Sequence, residues 1–298
     1  MSNAKTQAPI MSEIDRVSRI TQEQFVREYM NMNKPVILTD MIDDWPARRN
    51  WSFEAFSEMK SDAEVYLEVG NVIQHETIFH PVKFRDYITM IKDSEHGGGA
   101  QATDVRHHED GVPYLSIFDI FSFFPELKQD VDFSIISSQK LFNHVAAFLG
   151  PRGTVTGFHL DWVDNVLAQI YGSKAVIMVS PDQTPGMYPS RKYDMVSTFS
   201  SIDPDHYDRE THPLYEQVQP IHTKLEAGEM LFIPRGWWHH IRSLSSSISV
   251  GNFGFDMKAL LTDGVRLFSR YLMHQCGAWQ ECTCHMVKDG KRIKRPVA

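Results

Sequence analysis

His159 and Asp161 flank a single leucine in Phe158-His159-Leu160-Asp161, a run with the alternation of a β-strand. Residues i and i+2 of a strand share a face, so an imidazole and a carboxylate would project together while Leu160 projects away. A distant run, Glu229-Met230-Leu231-Phe232-Ile233-Pro234 followed by Gly236-Trp237-Trp238-His239-His240-Ile241, offers a further histidine on another strand. Two histidines and one carboxylate bind one face of a six-coordinate iron(II) and leave three positions for co-substrate and O2. Parity admits His239 or His240 as the third ligand but not both, because strand neighbours face opposite ways. His-x-Asp alone is common, and taken by itself it is better explained as a hydrogen-bonded surface pair.

Lys174 opens the apolar run Lys174–Val179. A buried lysine is costly unless a carboxylate neutralises it. Without the metal ligands, Lys174 reads as a surface lysine flanking a turn. Cys276, Cys282, Cys284 and His285 are of zinc-binding types, but ligands packed so closely on one short segment rarely close a tetrahedron unaided. Free thiols are the expectation there.

The elements that must position these groups follow from pattern. Residues 1–20 are polar and read as a flexible tail. Thr21-Gln22-Glu23-Gln24 is a capping box opening a helix to about Met32. Lys34–Thr39 reads as a strand, and Ser52–Lys60 and Phe84–Lys92 as helices, with His96–Gly99 a flexible loop. From Val145 onward short strands dominate: Val145–Leu149, Val166–Ile170, Lys174–Val179, Glu229–Ile233, Trp237–Ser243 and Ser247–Phe253. Tyr171-Gly172-Ser173 reads as a hairpin turn. Strands at this spacing predict a sandwich or barrel rather than βαβ units. The segment from Pro181 to Ile221 reads as a long binding loop or lid carrying Tyr188, Tyr193 and Tyr207. A helix returns after Asp256, with Leu260, Leu261, Val265, Phe268, Tyr271 and Leu272 near one face, and Lys288–Arg295 reads as a solvated basic tail.

Across 298 residues, 42% are apolar and 23% charged, values of an ordinary globular chain with a core. A net charge of −8 argues against a nucleic-acid grip. No run is apolar for long enough to span a bilayer, and an odd, clustered set of three cysteines is a poor disulfide framework. A cytoplasmic location is the expectation.

Taken together, these segments resemble the JmjC and cupin-type iron(II)- and 2-oxoglutarate-dependent hydroxylases, nearest their asparaginyl-hydroxylase branch. The resemblance is carried by Lys34–Ala47, Pro113-Tyr114-Leu115, Val155–Asp161, Asn165–Lys174 and the Trp-Trp-His strand, and spans about residues 25–255. It implies a mainly β fold, a double-stranded β-helix (jelly roll) in a catalytic domain of residues 21–255, with flanking N-terminal and C-terminal helices and a helical segment and tail at 256–298. It implies that His239 joins His159 and Asp161 on iron(II). It implies that Lys174, with Thr156 and Tyr114, holds 2-oxoglutarate, and that Asn165 and Asn252 lie close to metal and co-substrate. O2 is the oxidant, a side chain of a protein or peptide the expected substrate, and a homodimer through the C-terminal helix the expected assembly. A metal-binding cupin sensor without turnover, a JmjC-type demethylase, and a nucleoside or small-molecule hydroxylase are the alternatives. Gly254 and Ser116 depart from the resembling hydroxylases, which carry a bulky aromatic and a longer polar side chain there. Gly254 is expected to widen the floor near the iron.

Overall fold

The computed structural model describes residues 11–59, 61–69, 78–95, 112–137, 140–279, 281–288 and 291–294. Strands β1 (Asp15–Val17) and β2 (Val36–Leu38) pair in parallel on either side of helix α1 (Gln22–Phe25). The Thr21 capping box forms, with Gln24 reaching back to the Thr21 amide, and the helix widens into a π-type turn over Val26–Met30. Helices α2 (Pro46–Asn50) and α3 (Phe53–Glu58), the antiparallel pair β3 (Glu64–Val69) and β4 (Ile78–Lys83), and α4 (Phe84–Glu95) follow. Then come β5 (Leu115–Phe118) and the short helices α5 (Ile120–Phe123) and α6 (Ser134–Ser137).

From there the chain alternates between two sheets. It continues the larger, which already holds β1, β2 and β5, with β6 (Phe142–Gly150), crosses to the smaller with β7 (Val155–Asp161), returns with β8 (Asp164–Tyr171) and crosses again with β9 (Lys174–Val179). After β10 (Ser197–Phe199), the strands β11 (Ile221–Leu225) and β13 (Trp238–Ser243) complete the smaller sheet, and β12 (Met230–Ile233) and β14 (Ser247–Phe255) the larger. The larger sheet runs β1-β2-β12-β8-β14-β6-β5 and the smaller β10-β7-β13-β9-β11. Shuttling of this kind, with antiparallel neighbours throughout β6 to β14, is a double-stranded β-helix. The fold is the jelly roll expected from the sequence.

Alternation sorts the side chains into three cores. Val166, Ala168, Ile248 and Val250 face away from the barrel and pack with Phe25, Trp45, Phe84 and Ile88 of the N-terminal helices. Leu167, Val176, Met178, Leu231, Ile233 and Ile241 fill the space between the sheets. Phe158, Leu160, Val179 and Trp238 form the outer face of the smaller sheet, covered by Met187, Ile202 and Tyr215.

Several expectations need correction. Tyr171-Gly172-Ser173 is not a hairpin turn, because β8 and β9 pair with different strands in different sheets. Its job is a sharp handover: Gly172 takes φ +73°, and a Cβ there would lie 2.1 Å from the Ser246 carbonyl. The tail does not extend to residue 20, since β1 docks on β2 and Lys34 pairs with Asp15 at 2.5 Å. Residues 1–10, like the His96–Gly99 loop, lie outside the described residues. The basic end folds as the antiparallel strands β15 (His285–Lys288) and β16 (Lys291–Lys294).

The segment from Pro181 to Ile221 is not an open loop. It supplies β10 against β7 and two 3-10 turns, Pro181–Met187 and Pro213–Gln217. Its tyrosines are committed to holding it down. Tyr193 is buried, and Tyr188, Tyr207 and Tyr215 pack against the Phe158–Trp238 core.

Helix α7 (Met257–Gln275) starts on an Asp256 cap, whose carboxylate accepts from the Ala259 amide at 2.7 Å. Arg235 ties it to the barrel through Asp256 and Asp263, and the Arg266 guanidinium stacks 4.2 Å over Trp162. Among the described residues, no helix is long and apolar enough to cross a membrane.

Candidate metal and co-substrate site

Strands β7 and β13 lie antiparallel with His159 directly opposite His239. That register and the i, i+2 spacing bring three side chains into the space between the sheets. The ligand atoms of His159, Asp161 and His239 all lie within 4.8 Å of one another. Asp161 Oδ1 is 3.9 Å from His159 Nε2, and Asp161 Oδ2 is 3.8 Å from His239 Nε2. His240 points the other way, onto the ring of Phe158 at 5.3 Å, in the outer core with Trp238.

The donor set suits a divalent cation. His159 Nδ1 donates to the Gly157 carbonyl at 2.9 Å and His239 Nδ1 donates to the Trp237 carbonyl at 3.1 Å. A carbonyl accepts only, so Nδ1 carries a proton in each ring and Nε2 is the atom turned toward the other two side chains. Burial, and then the His159 ring, hold His239 well below the usual histidine range, so it stays neutral. Asp161 is pushed up by burial, and its Oδ2 is buried without a hydrogen-bond partner. A carboxylate in that position calls for a cation.

Ser197 was not legible in the sequence. It sits on β10 opposite Asp161, and its hydroxyl donates to Asp161 Oδ1 at 2.7 Å. A serine in a long polar segment carries no signal of its own; only the pairing of β10 with β7 gives it a role. Ser197→Ala should weaken metal binding by about 10- to 100-fold, as loss of a group that orients a ligand does. Anaerobic metal titration checks this, and unchanged affinity would remove Ser197 from the site.

Lys174 opens β9 on the same face as Val176 and Met178, which line the space between the sheets, and is 2% exposed. Its ammonium donates to the Tyr114 phenol at 3.2 Å and the Ser243 hydroxyl at 3.3 Å. Burial pulls it down to about 7. Thr156 hydrogen-bonds Tyr114, whose burial pushes the phenol far above its usual range. Thr156 is three residues from His159, which on a regular strand would put it on the opposite face. A bulge between the His239–His159 and Ile241–Thr156 pairs restores it to the inner face.

Asn165 and Asn252 part company. Asn165 shares the inner face of β8 with Leu167 and pairs with Ile233 and Phe253, and its side-chain oxygen is buried without a partner. Asn252 pairs with Val166 and Val145 and alternates with Ile248 and Val250, so it faces the N-terminal helices. It does not join the group between the sheets, contrary to expectation. Gly254 does not widen a floor either: a Cβ there would lie 2.3 Å from the Phe142 carbonyl, because β6 closes against it. Ser116 is buried and donates to Glu68.

The arrangement can hold a metal through two imidazoles and a carboxylate and an anion through Lys174. Residues 21–259 match the cupin-like domain family. The chain is 30% identical over 245 residues to Jumonji C domain-containing protein 5 of Drosophila melanogaster, covering 80% of this chain and 59% of that protein. It is 30% identical over 233 residues to lysine-specific demethylase 8 of Xenopus tropicalis, covering 76% and 49%. It is 27% identical over 250 residues to human tRNA wybutosine-synthesizing protein 5, covering 80% and 77%. The chain thus spans only 49–59% of the first two of these relatives. By its family match, its jelly-roll topology and these relatives, the chain belongs to the cupin-like, JmjC-type family of 2-oxoglutarate oxygenases.

Proposed function

We propose that this protein is an iron(II)- and 2-oxoglutarate-dependent oxygenase that hydroxylates a side chain of a protein or peptide. The observation that carries the reading is Lys174, a buried ammonium with hydroxyl partners but no carboxylate among its hydrogen bonds, in the same inter-sheet space as His159, Asp161 and His239. A cupin that only sensed a metal would have no use for such a cation.

In this reading His159, Asp161 and His239 hold the iron. Bound iron with 2-oxoglutarate and O2 supplies the oxidant that inserts one oxygen atom into a C–H bond while the co-substrate becomes succinate and CO2. Lys174 takes the far carboxylate of the co-substrate, with Tyr114 and Thr156 oriented to donate to it. Ser197 holds Asp161 in place through Oδ1. Asn165 offers its amide toward the inter-sheet space. The apolar lining of Val176, Met178, Leu231 and Ile241 limits water around these groups.

The tyrosines of 181–221 and the glycine at 254 do not support a peptide groove. Support for a protein side chain comes from the relative named as a lysine-specific demethylase, and the net charge of −8 disfavours RNA as substrate. The similarity to a tRNA wybutosine-synthesizing protein favours a nucleoside substrate as the second reading. Purified chain with iron(II), 2-oxoglutarate and ascorbate is incubated separately with a peptide library, with tRNA and with a metabolite extract. The proposal expects a gain of one oxygen, or loss of a methyl group through it, on a peptide with matching succinate. Modification confined to tRNA or to one metabolite overturns the substrate class.

A homodimer is part of the proposal. Helix α7 exposes Leu261 by 74%, Val265 by 77% and Phe268 by 61%, on a stripe continued by Leu260 and Leu272. An exposed apolar stripe of this kind supports an interface with a second copy. Sedimentation should give a dimer at micromolar concentration, and Leu261→Arg with Phe268→Arg should give a folded monomer. A wild-type monomer unaffected by these changes contradicts the assembly. A cytoplasmic location belongs to the same proposal.

A further inference from the structure

A second set of metal-binding groups lies outside the barrel, at the end of α7. His274 Nε2, the Cys282 and Cys284 thiols and His285 Nδ1 all lie within 4.8 Å of one another. Cys284 Sγ is 3.2 Å from His274 Nε2 and 3.2 Å from His285 Nδ1, and Cys282 Sγ is 3.3 Å from His285 Nδ1. With zinc–sulfur and zinc–nitrogen bonds of about 2.3 and 2.05 Å, tetrahedral ligands sit roughly 3.4–3.8 Å apart. The three contacts of 3.2–3.3 Å lie just below that range, and no pair of the four atoms exceeds 4.8 Å.

We propose that His274, Cys282, Cys284 and His285 form a tetrahedral zinc site that ties the C-terminal segment to the strand carrying Ser197. Two thiolates and two imidazoles select zinc over the hard cations, and a complete four-ligand set marks a structural site rather than a catalytic one. The orientation of His274 supports this. Its ring is buried, stacks on Tyr193 at 4.2 Å, and donates from Nδ1 to the Trp279 carbonyl at 2.8 Å, which leaves Nε2 facing Cys284. The sequence objection was that a short segment cannot close a tetrahedron. It is met by α7, which returns His274 from eight residues upstream of Cys282. Cys276, counted with the others on sequence grounds, is exposed and outside the set.

The neighbours give the site a purpose. The Tyr193 amide donates to the Glu281 carbonyl at 2.8 Å, and the Thr283 amide to the Tyr193 carbonyl at 3.0 Å. The Trp279 indole donates to the Arg191 carbonyl at 2.7 Å, and the Thr283 hydroxyl to Asp194 at 2.5 Å. The other oxygen of Asp194 accepts from the Val196 and Ser197 amides at 3.0 and 2.9 Å. Ser197 in turn holds Asp161. A short run of contacts therefore leads from the cysteines to a ligand of the first centre.

The test uses the full chain carrying His159→Ala and His239→Ala, so that the first centre takes no metal. Cobalt(II) titration should give the intense visible bands of tetrahedral cobalt–thiolate, saturating at one ion per chain and displaced by zinc. Cys282→Ser and Cys284→Ser should weaken zinc by about a hundredfold or more, and Cys276→Ser should not. Hydrogen exchange of the same His159→Ala/His239→Ala chain should show faster exchange at Tyr193 and Ser197 after zinc is removed by a chelator. Absence of the thiolate bands in the His159→Ala/His239→Ala chain, or equal loss of zinc in Cys276→Ser and Cys284→Ser, overturns the site. Bands without any change in exchange at 193–197 overturn its role in holding Ser197. The first result does not depend on any cysteine variant folding, nor on the oxygenase reading.

Discussion

His239→Ala should abolish iron binding and all iron-dependent consumption of 2-oxoglutarate, whereas His240→Ala should keep its iron. The two residues are adjacent, both are buried, and both are held neutral at physiological pH: His239 well below the usual range, and His240 down to about 4, chiefly by burial. Charge cannot tell them apart, so the difference is one of direction. His239 faces Asp161 at 3.8 Å, and His240 packs on Phe158. Loss of one of three ligands should weaken metal by more than the 10- to 100-fold that loss of an orienting group costs. His240→Ala opens space in the outer core instead and should cost stability of about 1–3 kcal/mol. Metal content after gel filtration and a thermal melt separate the outcomes. Equal metal loss in both variants would mean that the centre lies elsewhere.

Lys174→Ala should raise the apparent KM for 2-oxoglutarate at least about a hundredfold while iron affinity stays near that of the wild type, because breaking a buried charged pair costs about 3–5 kcal/mol. The same residue predicts a pH dependence. In the free protein burial lowers Lys174 to about 7, and the groups that meet it, Tyr114 and Ser243, bring no negative charge. A bound dicarboxylate needs the ammonium form. Below pH 7 that form is already present, and affinity should be flat. Above pH 7 binding must take up a proton, and affinity should fall by up to tenfold per pH unit. Calorimetry in buffers of different ionisation enthalpy reads the proton uptake directly. A KM that is insensitive both to pH 7–9 and to Lys174→Ala would remove this lysine from co-substrate binding.

The pair His159 and Asp161 was legible because a strand has a period of two and both fall on one face. The barrel strands were legible for the same reason, as short apolar runs between turn residues. Thr156 was not legible from periodicity. The bulge that turns it inward arises from how β7 meets β13, and a single strand does not encode its partner's register. Asn252 failed for a different reason: on β14 it shares a face with Ile248 and Val250, but parity does not say which face is inward, and only their packing on the N-terminal helices decides it. Gly172 invited a hairpin reading because local turn chemistry is the same whether the next strand pairs or leaves for another sheet. Ser197 and His274 had no local signal. Each acquires its partner through a contact between segments 36 and 10 residues apart, made by β10 on β7 and by α7 folding back on the C-terminal segment.

The central claim is that metal and 2-oxoglutarate share one site between the two sheets. Anaerobic calorimetry of 2-oxoglutarate binding, with and without a redox-inert divalent metal such as manganese(II), tests it most directly. One co-substrate per chain should bind in the presence of metal, and at least about tenfold more weakly without it, since a clamp on one end alone forfeits the chelating end. His239→Ala should behave like the metal-free protein even with metal added. Binding that ignores the metal, or no binding of 2-oxoglutarate to a metal-loaded chain, would contradict the account.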